Sequence, residues 1–191
     1  MFTGLIQGIG RIAALRGREL VVSGAPWGDL QAGESVCLNG CCLSLERQER
    51  DRLHFHLSEE TLKRSWPGLW APGTPVNLER AVTLQTPLGG HLVTGHVDGL
   101  GRVELSPKAP KWTLRIVYPK AFDPLIVEKG SIAVQGVSLT VARLLPRLRF
   151  EAALIPETMK RTGFGSMKPG DRVHLEFDLA GKYLARWKAL E

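Results

Sequence analysis

The sequence predicts an all-β protein made of two tandem antiparallel barrels followed by a C-terminal α-helix. Three observations carry that expectation: a long segment occurs twice, short strand-like runs fill most of the chain, and helical periodicity is confined to its end. The repeat is clearest where Ser35-Val-Cys-Leu-Asn-Gly-Cys-Cys-Leu-Ser-Leu45 returns as Ser131-Ile-Ala-Val-Gln-Gly-Val-Ser-Leu-Thr-Val141. Phe2-Thr-Gly-Leu-Ile-Gln-Gly-Ile-Gly-Arg-Ile12 aligns with Val93-Thr-Gly-His-Val-Asp-Gly-Leu-Gly-Arg-Val103. Phe55 to Arg64 aligns with Glu151 to Arg161, one residue longer, and Pro72-Gly-Thr-Pro-Val-Asn-Leu-Glu79 with Pro169-Gly-Asp-Arg-Val-His-Leu-Glu176. A unit of about ninety residues is too long for a solenoid repeat and suits a small domain with its own core. The expected division is 1–90, 91–178 and a terminal helix over 179–191.

In chain order, strands are expected at Leu20–Ser23, Val36–Leu38 with Cys42–Leu45, Leu53–Leu57, Val76–Leu78, Leu114–Val117, Ile132–Val134 with Val137–Val141, Phe150–Leu154 and Val173–Phe177. The paired runs are each broken by Gly40 or Gly136 and read as two strands joined at a glycine turn. Such short strands suit closed barrels, which remove exposed edges. Gly8-Ile-Gly10-Arg-Ile-Ala13 meets a relaxed dinucleotide fingerprint, but no helix follows before Gly17. It and its copy at Gly99-Leu-Gly101 read instead as glycine-marked bulges or turns. From Leu179 to Leu190, Leu179, Tyr183, Leu184, Trp187 and Leu190 recur at helical spacing, with Gly181 weakening the first turn. An apolar helix stripe outside two closed barrels needs a partner.

With 191 residues, 43% hydrophobic and 23% charged, the composition is that of an ordinary soluble globular protein. Apolar runs such as Ile132-Ala133-Val134 fall far short of the roughly 20 residues of a membrane span. Met1-Phe2-Thr3 does not open a signal peptide, so a cytoplasmic protein that engages no membrane is expected. Net charge is +6, but Lys and Arg are scattered, which argues against a nucleic-acid partner. The densest basic stretch, Arg143 to Arg149, reads as solvated strands around a turn. Cys37, Cys41 and Cys42 have neither disulfide-framework nor metal spacing, so reduced thiols are expected. His54 and His56 would share a strand face, but no third metal ligand accompanies them.

The opening Met-Phe-Thr-Gly, Asn39-Gly-Cys-Cys-Leu43, Leu88-Gly-Gly-His-Leu-Val-Thr-Gly-His-Val-Asp98, Gly136-Val-Ser-Leu-Thr140 and Leu154-Ile-Pro-Glu-Thr158 together resemble the riboflavin synthase alpha chain family. The resemblance runs from residue 1 to about residue 185 and keeps the family's order, length and duplication. It implies two six-stranded Greek-key barrels, a homotrimer assembled by the terminal helix, and a dismutation needing no added cofactor. In that reaction two molecules of 6,7-dimethyl-8-ribityllumazine exchange a four-carbon unit, giving riboflavin and 5-amino-6-(ribitylamino)uracil. Some relatives reside inside a lumazine synthase capsid, which makes that protein a conceivable partner. Two competing readings are a non-catalytic lumazine- or flavin-binding paralogue and a flavin-dependent reductase domain. The second would need a nucleotide-binding partner domain. Persistence of both Gly95-His-Val97 and Ser138-Leu-Thr140 favours the enzyme.

Backbone amides and carbonyls match the acceptors and donors on a pteridine edge, so strand segments are expected to line the pockets. The resemblance assigns Gly4, Leu5 and Ile6, Cys42, Leu43 and Ser44, and His56, Leu57, Ser58, Glu59, Glu60 and Thr61 to the first domain. To the second it assigns Gly95, His96 and Val97, Lys129, Ser138, Leu139 and Thr140, and Leu154, Ile155, Pro156, Glu157, Thr158 and Met159. Phe2 and Ser35 join the same pocket by analogy. Ser and Thr at such places also serve as locally satisfied strand and turn groups.

Catalysis must take a proton from the C7 methyl of one lumazine and direct a nucleophile at the other. His96 is the first candidate, because it moves protons near neutral pH and stands where the first half has Leu5. Ser138, Asp178 and Cys42 follow from the family pattern. Asp178, matched here with Arg80, reads equally as the N-cap of the terminal helix, and Cys42 equally as filler of a strand face. Lys129 reads either as an anion-steadying group or as a surface charge. His54 and His174 read as structural, and His91 as orienting its loop. His56, Ser58, Ser44, Gln135 and Gly163 depart from residues usual in the family, which weakens the carry-over at the first pocket.

Overall fold

The computed structural model describes residues 1–108 and 110–190. In the first half, strands β1 (Gly8–Arg16), β2 (Glu19–Ser23), β3 (Ser35–Leu38), β4 (Cys41–Glu49), β5 (Arg52–His56) and β6 (Pro75–Arg80) close a barrel in the order β1-β2-β5-β4-β3-β6. Helix α1 (Glu59–Arg64) lies between β5 and β6. The second half contains β7 (Gly99–Leu105), β8 (Thr113–Val117), β9 (Ser131–Val134), β10 (Val137–Thr140), β11 (Arg143–Leu145), β12 (Arg149–Ala153), α2 (Pro156–Arg161) and β13 (Arg172–Phe177). Its sheet has seven strands rather than the expected six, ordered β10-β9-β13-β7-β8-β12-β11, and is curled without the closed ladder of the first barrel. That is the first barrel's order with one strand split, because β10 and β11 together occupy the place of β4. The break at Val141–Ala142 is held by Lys129, whose backbone N–H donates to Val141 O and whose Nζ donates to Ala142 O, both at 2.8 Å.

The apolar alternation that marked the strands supplies two separate cores. Leu20, Val22, Leu53, Phe55, Trp70 and Leu78 fill the first, and Leu114, Ile116, Phe150, Phe164, Leu175 and Phe177 the second. Each such side chain stabilises the fold by roughly 1.5–3 kcal/mol when fully buried. Gly8 and Gly10 lie within β1, not at a bulge. Strand pairing slips one step later, between Ile12 and Ala14, and in the copy between Val103 and Leu105. Gly10 is glycine because a Cβ there would meet Leu78 Cδ1 and Ser23 O at 2.9 Å. Arg143 and Arg149 do flank a turn, and Arg143 also pairs with Glu151. Pairing of Val36 with Arg80 and of Ile132 with Phe177 makes Arg80 equivalent to Phe177, which corrects its expected match with Asp178.

The barrels meet about a pseudo-two-fold axis. Asn39-Gly40 and Gln135-Gly136 are hairpin turns with positive φ at both residues, 46° and 87° in the first and 49° and 76° in the second. Their tips touch: a Cβ on Gly40 would lie 3.0 Å from Gly136 N. Around them Asn77 and His174 hold equivalent places. Asn77 Nδ2 donates to Gln135 O at 3.0 Å, and His174 Nδ1 bonds Asn39 O at 2.8 Å. A third apolar cluster of Phe2, Cys37, Val93 and Ala133 seals the junction.

Helix α3 (Leu179–Lys188) follows Asp178, whose Oδ1 accepts the Ala180 N–H at 2.9 Å as its N-cap. Lys182 pairs with Asp98 at 2.7 Å and fastens the helix to the second barrel. Gly181 costs helix propensity but permits docking, since a Cβ there would come within 3.0 Å of Leu125 O. Tyr183, Leu184, Trp187 and Leu190 remain exposed, at 71%, 61%, 65% and 68% of their surface.

His174 is the acid-sensitive point of the junction. Burial lowers its pKa to about 4, against a smaller raising effect of the Asn39 bond. Its unfolded-state pKa is higher, so the unfolded chain binds the extra proton. Stability is therefore complete above the unfolded value and declines as pH falls from about 6.5 towards 4, by on the order of 3 kcal/mol. His174→Asn, which copies Asn77, should flatten this decline. Thermal unfolding at pH 7 and pH 5 checks it, the difference between the two Tm values being smaller in the variant than in the parent protein.

Candidate functional site

The segment before the first strand of each half does not stay with its own barrel. Backbone pairing of Phe2 with Val93 lays the two arms side by side, and each then crosses to the other half. Ser138 N–H donates to Gly4 O at 2.9 Å, and Cys42 N–H donates to Gly95 O at 2.8 Å. Ile6 enters the second core and Val97 packs on the first. Gly4–Ile6 thus meets Ser138 in the second half, and Gly95–Val97 meets Cys42 in the first, an exchange of the expected assignment. Glycine is required at both crossings. Gly95 has φ +79°, and a Cβ there would lie 2.6 Å from Cys42 Cβ; Gly4 stands in the same relation to Ser138.

Two buried carboxylates lock the arms. Glu79 Oε1 accepts from Thr3 N and Oγ1 at 2.7 Å, and its Oε2 from Gly4 N at 3.0 Å. Glu176 Oε1 accepts from Thr94 N and Oγ1 at 2.6 and 2.7 Å, and its Oε2 from Gly95 and His96 N–H at 2.9 and 3.1 Å. Burial raises the pKa of Glu79, and the Thr3 and Gly4 bonds oppose that rise. Neither carboxylate was anticipated, although the coincidence of Thr-Gly and of a final Glu in both copies of the repeat is their signature.

At the first mouth a cavity of about 330 Å³ is lined by Cys41, Cys42, Ser58, Glu60, Thr61, Arg64 and Gly95 to Asp98. It gathers Cys42, Ser58, Glu60, Thr61, Gly95, His96 and Val97 from among the expected residues. His96 is exposed there, and among the described residues only its backbone N–H is engaged. The 56–61 and 154–159 segments, expected as strand, enter helices. Ser58 Oγ caps α1 by accepting from Thr61 N at 3.0 Å, and Pro156 opens α2. Other expected residues lie elsewhere. Leu43 and Leu57 are core, Ser35 pairs with exposed Ser44, His56 pairs with Glu19 on the sheet, Glu59 bonds Arg18, and Phe2 is wholly buried between the barrels.

At the second mouth Ser138 Oγ lies 2.7 Å from His91 Nδ1. His91 therefore orients its loop through Ser138, and the loop is held by His91 N to Thr3 O at 3.2 Å; Ser138 and its counterpart Cys42 are both half-buried, and Cys42 lines the first cavity. Burial lowers the pKa of His91, against opposing effects of Asp178 and Glu176, which favours its neutral form. Leu139 and Leu154 are core and Met159 packs on it, Thr140, Ile155, Pro156 and Glu157 are exposed, and Thr158 O accepts from Thr162 Oγ1. Lys129 is spent on the strand break. Burial pushes the Cys41 thiol up to about 12 and also raises that of Cys37 well above its ordinary value. Among the described residues no cluster of His, Cys, Asp and Glu has the makings of a metal site.

The family model for the lumazine binding domain matches the chain twice, over residues 3–81 and 94–178. Riboflavin synthase of Mycobacterium bovis is 40% identical over 198 aligned residues, covering 97% of both chains. The chain belongs to the riboflavin synthase family. The Actinobacillus pleuropneumoniae riboflavin synthase is 37% identical, over 98% of this chain and 89% of its own. Among solved structures, LumP complexed with riboflavin superposes with a TM-score of 0.83 at 22% identity, covering 93% of this chain and 99% of LumP, and shares the fold.

Glu176→Gln puts an NH2 where backbone donors point and leaves buried N–H groups without an acceptor. The expected loss of stability is about 2–3 kcal/mol. Chemical denaturation measures it; a loss under about 0.5 kcal/mol would show that the clamp does not hold the arm.

Proposed function

We propose that the protein is a riboflavin synthase in which each substrate mouth is built from both halves of the chain. It is a transferase that dismutes two molecules of 6,7-dimethyl-8-ribityllumazine into riboflavin and 5-amino-6-(ribitylamino)uracil. The observation that carries this reading is the near-full-length identity to riboflavin synthases, joined to two related but unequal mouths. Duplicated barrels suit two identical substrates, and the unequal side chains suit their different fates. Further support for small-molecule binding comes from the double match to the lumazine binding domain.

His96 at the first mouth is unencumbered and takes a proton from the C7 methyl of the lumazine bound there. Cys42 and the 58–61 segment face the same ligand. At the second mouth His91 holds the Ser138 hydroxyl, which is thereby directed rather than free to rotate, and assists the nucleophile that attacks the other lumazine. Asp178 caps α3 and favours a protonated His91, so it tunes this pair electrostatically. The exposed stripe Tyr183, Leu184, Trp187 and Leu190 supports a homotrimer in which a neighbouring copy covers the helix. Among the described residues no helix is long and apolar enough to cross a membrane. The resemblance to riboflavin synthases supports a place in the cytoplasm.

Purified protein mixed with the lumazine should produce riboflavin absorbance; tight binding without product would assign the chain to the non-catalytic binders instead. His96→Gln should fold normally and turn over roughly tenfold or more slowly, and a near-parental rate would remove His96 from proton transfer. Trp187→Glu should convert the trimer to monomers in sedimentation and lower the rate with it. A variant that stays trimeric would exclude the helix as the assembly surface.

A further inference from the structure

A second cavity, of about 610 Å³, opens between the barrels on their pseudo-two-fold junction and shares no lining residue with the cavity at Cys42. Its size has a local cause. Trp66 and Gly163 occupy equivalent places, each donating its backbone N–H across the junction, Trp66 to His174 Nε2 and Gly163 to Asn77 Oδ1. One side carries an indole and the other carries nothing. A Cβ on Gly163 would meet only Asn77 Oδ1, at 3.6 Å.

Asn39 and Gln135 line this space and are only 3% and 4% exposed. The amide oxygen of Asn39 accepts the Asn77 N–H at 2.8 Å, and that of Gln135 accepts the His174 N–H at 3.1 Å. Because a backbone N–H can only donate, these bonds fix each amide's orientation. The two NH2 groups are left without a hydrogen-bond partner among the described residues, yet neither is sealed from the open space these residues line. Reached from that space, both are free to donate to a ligand that enters it. Two cations join them. Arg11 donates to Gly73 O, Arg172 lies 4.3 Å above the Trp66 ring, and neither forms an ion pair among the described residues. Of the lining hydroxyls, those of Thr162 and Ser166 donate to backbone carbonyls while that of Thr74 stays available, and Asp171 accepts the Lys168 N–H.

The space therefore offers donors, positive charge and one flat wall, in a volume typical of small-molecule sites and larger than an inorganic anion needs. Guanidinium groups match phosphate oxygens, and a guanidinium stacked on an indole extends a surface for an aromatic ring. We propose that this cavity binds a flat heteroaromatic phosphate ester of mononucleotide size. The ring lies along Trp66 and Arg172, the arginines take the phosphate, and the Asn39 and Gln135 NH2 groups bond acceptors of the ligand. This site is independent of the lumazine reaction.

Calorimetric titration of the full chain with adenosine 5′-monophosphate, adenosine and inorganic phosphate tests it. The nucleotide should bind saturably at one site per chain, with adenosine and phosphate each weaker by roughly tenfold or more. Arg172→Gln, which removes the charge, and Gly163→Leu, which fills the space, should each weaken nucleotide binding by roughly tenfold or more and leave riboflavin formation unchanged. Should Gly163→Leu not fold, Arg172→Gln decides alone. Absence of saturable nucleotide binding, equal binding of adenosine or of phosphate, or an affinity unchanged by Arg172→Gln would overturn the proposal.

Discussion

Glu79 and Glu176, each in the last strand of its barrel, are almost wholly buried, and a carboxylate in that position is tolerated only because backbone and hydroxyl donors surround it. The donors come from the Thr-Gly step of an arm that is about to leave for the other barrel. Satisfying the carboxylate and aiming the arm are thus one event. Once Thr94 and Gly95 are fixed on Glu176, His96 follows at a set position over Cys42, and Thr3 with Gly4 does the same for Leu5 near Ser138. The glycines complete the constraint, because neither crossing has room for a side chain. Each mouth therefore depends on a residue series from the opposite half, and neither half holds a whole site.

Within this near-symmetric frame the two mouths differ in a few side chains. Leu5 in one arm corresponds to His96 in the other, and Cys42 to Ser138. The linker exists only between the halves, so only the second mouth receives His91 as a hydrogen-bond partner. Burial favours the neutral form of that imidazole, whereas His96 faces an open cavity. Two identical substrates entering such a molecule meet different surroundings. The same reasoning applies at the junction, where Trp66 against Gly163 turns a symmetric contact into a cavity.

Much of this organisation follows from local sequence signals. The duplication, the Asn-Gly and Gln-Gly turns, the strand series and the amphipathic terminal helix all rest on short-range periodicity and turn chemistry, which report directly on backbone geometry. What the sequence withholds is long-range. Alignment of the two copies shows that Gly4 and Gly95 are equivalent but not which barrel each serves, since an arm folded back and an arm exchanged have the same sequence pattern. Gly181 reads as a helix weakness until Leu125 O is seen against it. Asp178 satisfied two descriptions equally, and only the Ala180 bond shows it as the N-cap. The short helices α1 and α2 are a single turn or two, too brief for periodicity, whereas the match of Arg80 with Phe177 is already given by the gap-free register of Glu79 and Glu176.

The central claim is that each substrate mouth is completed by the arm of the other half. A crystal structure of the protein with 6,7-dimethyl-8-ribityllumazine bound tests it most directly. Ligand at the first mouth is predicted to touch both the Cys42 strand and the Gly95–Val97 arm. A ligand enclosed by Cys42 together with Gly4–Ile6, with Gly95–Val97 remote from it, would contradict the account.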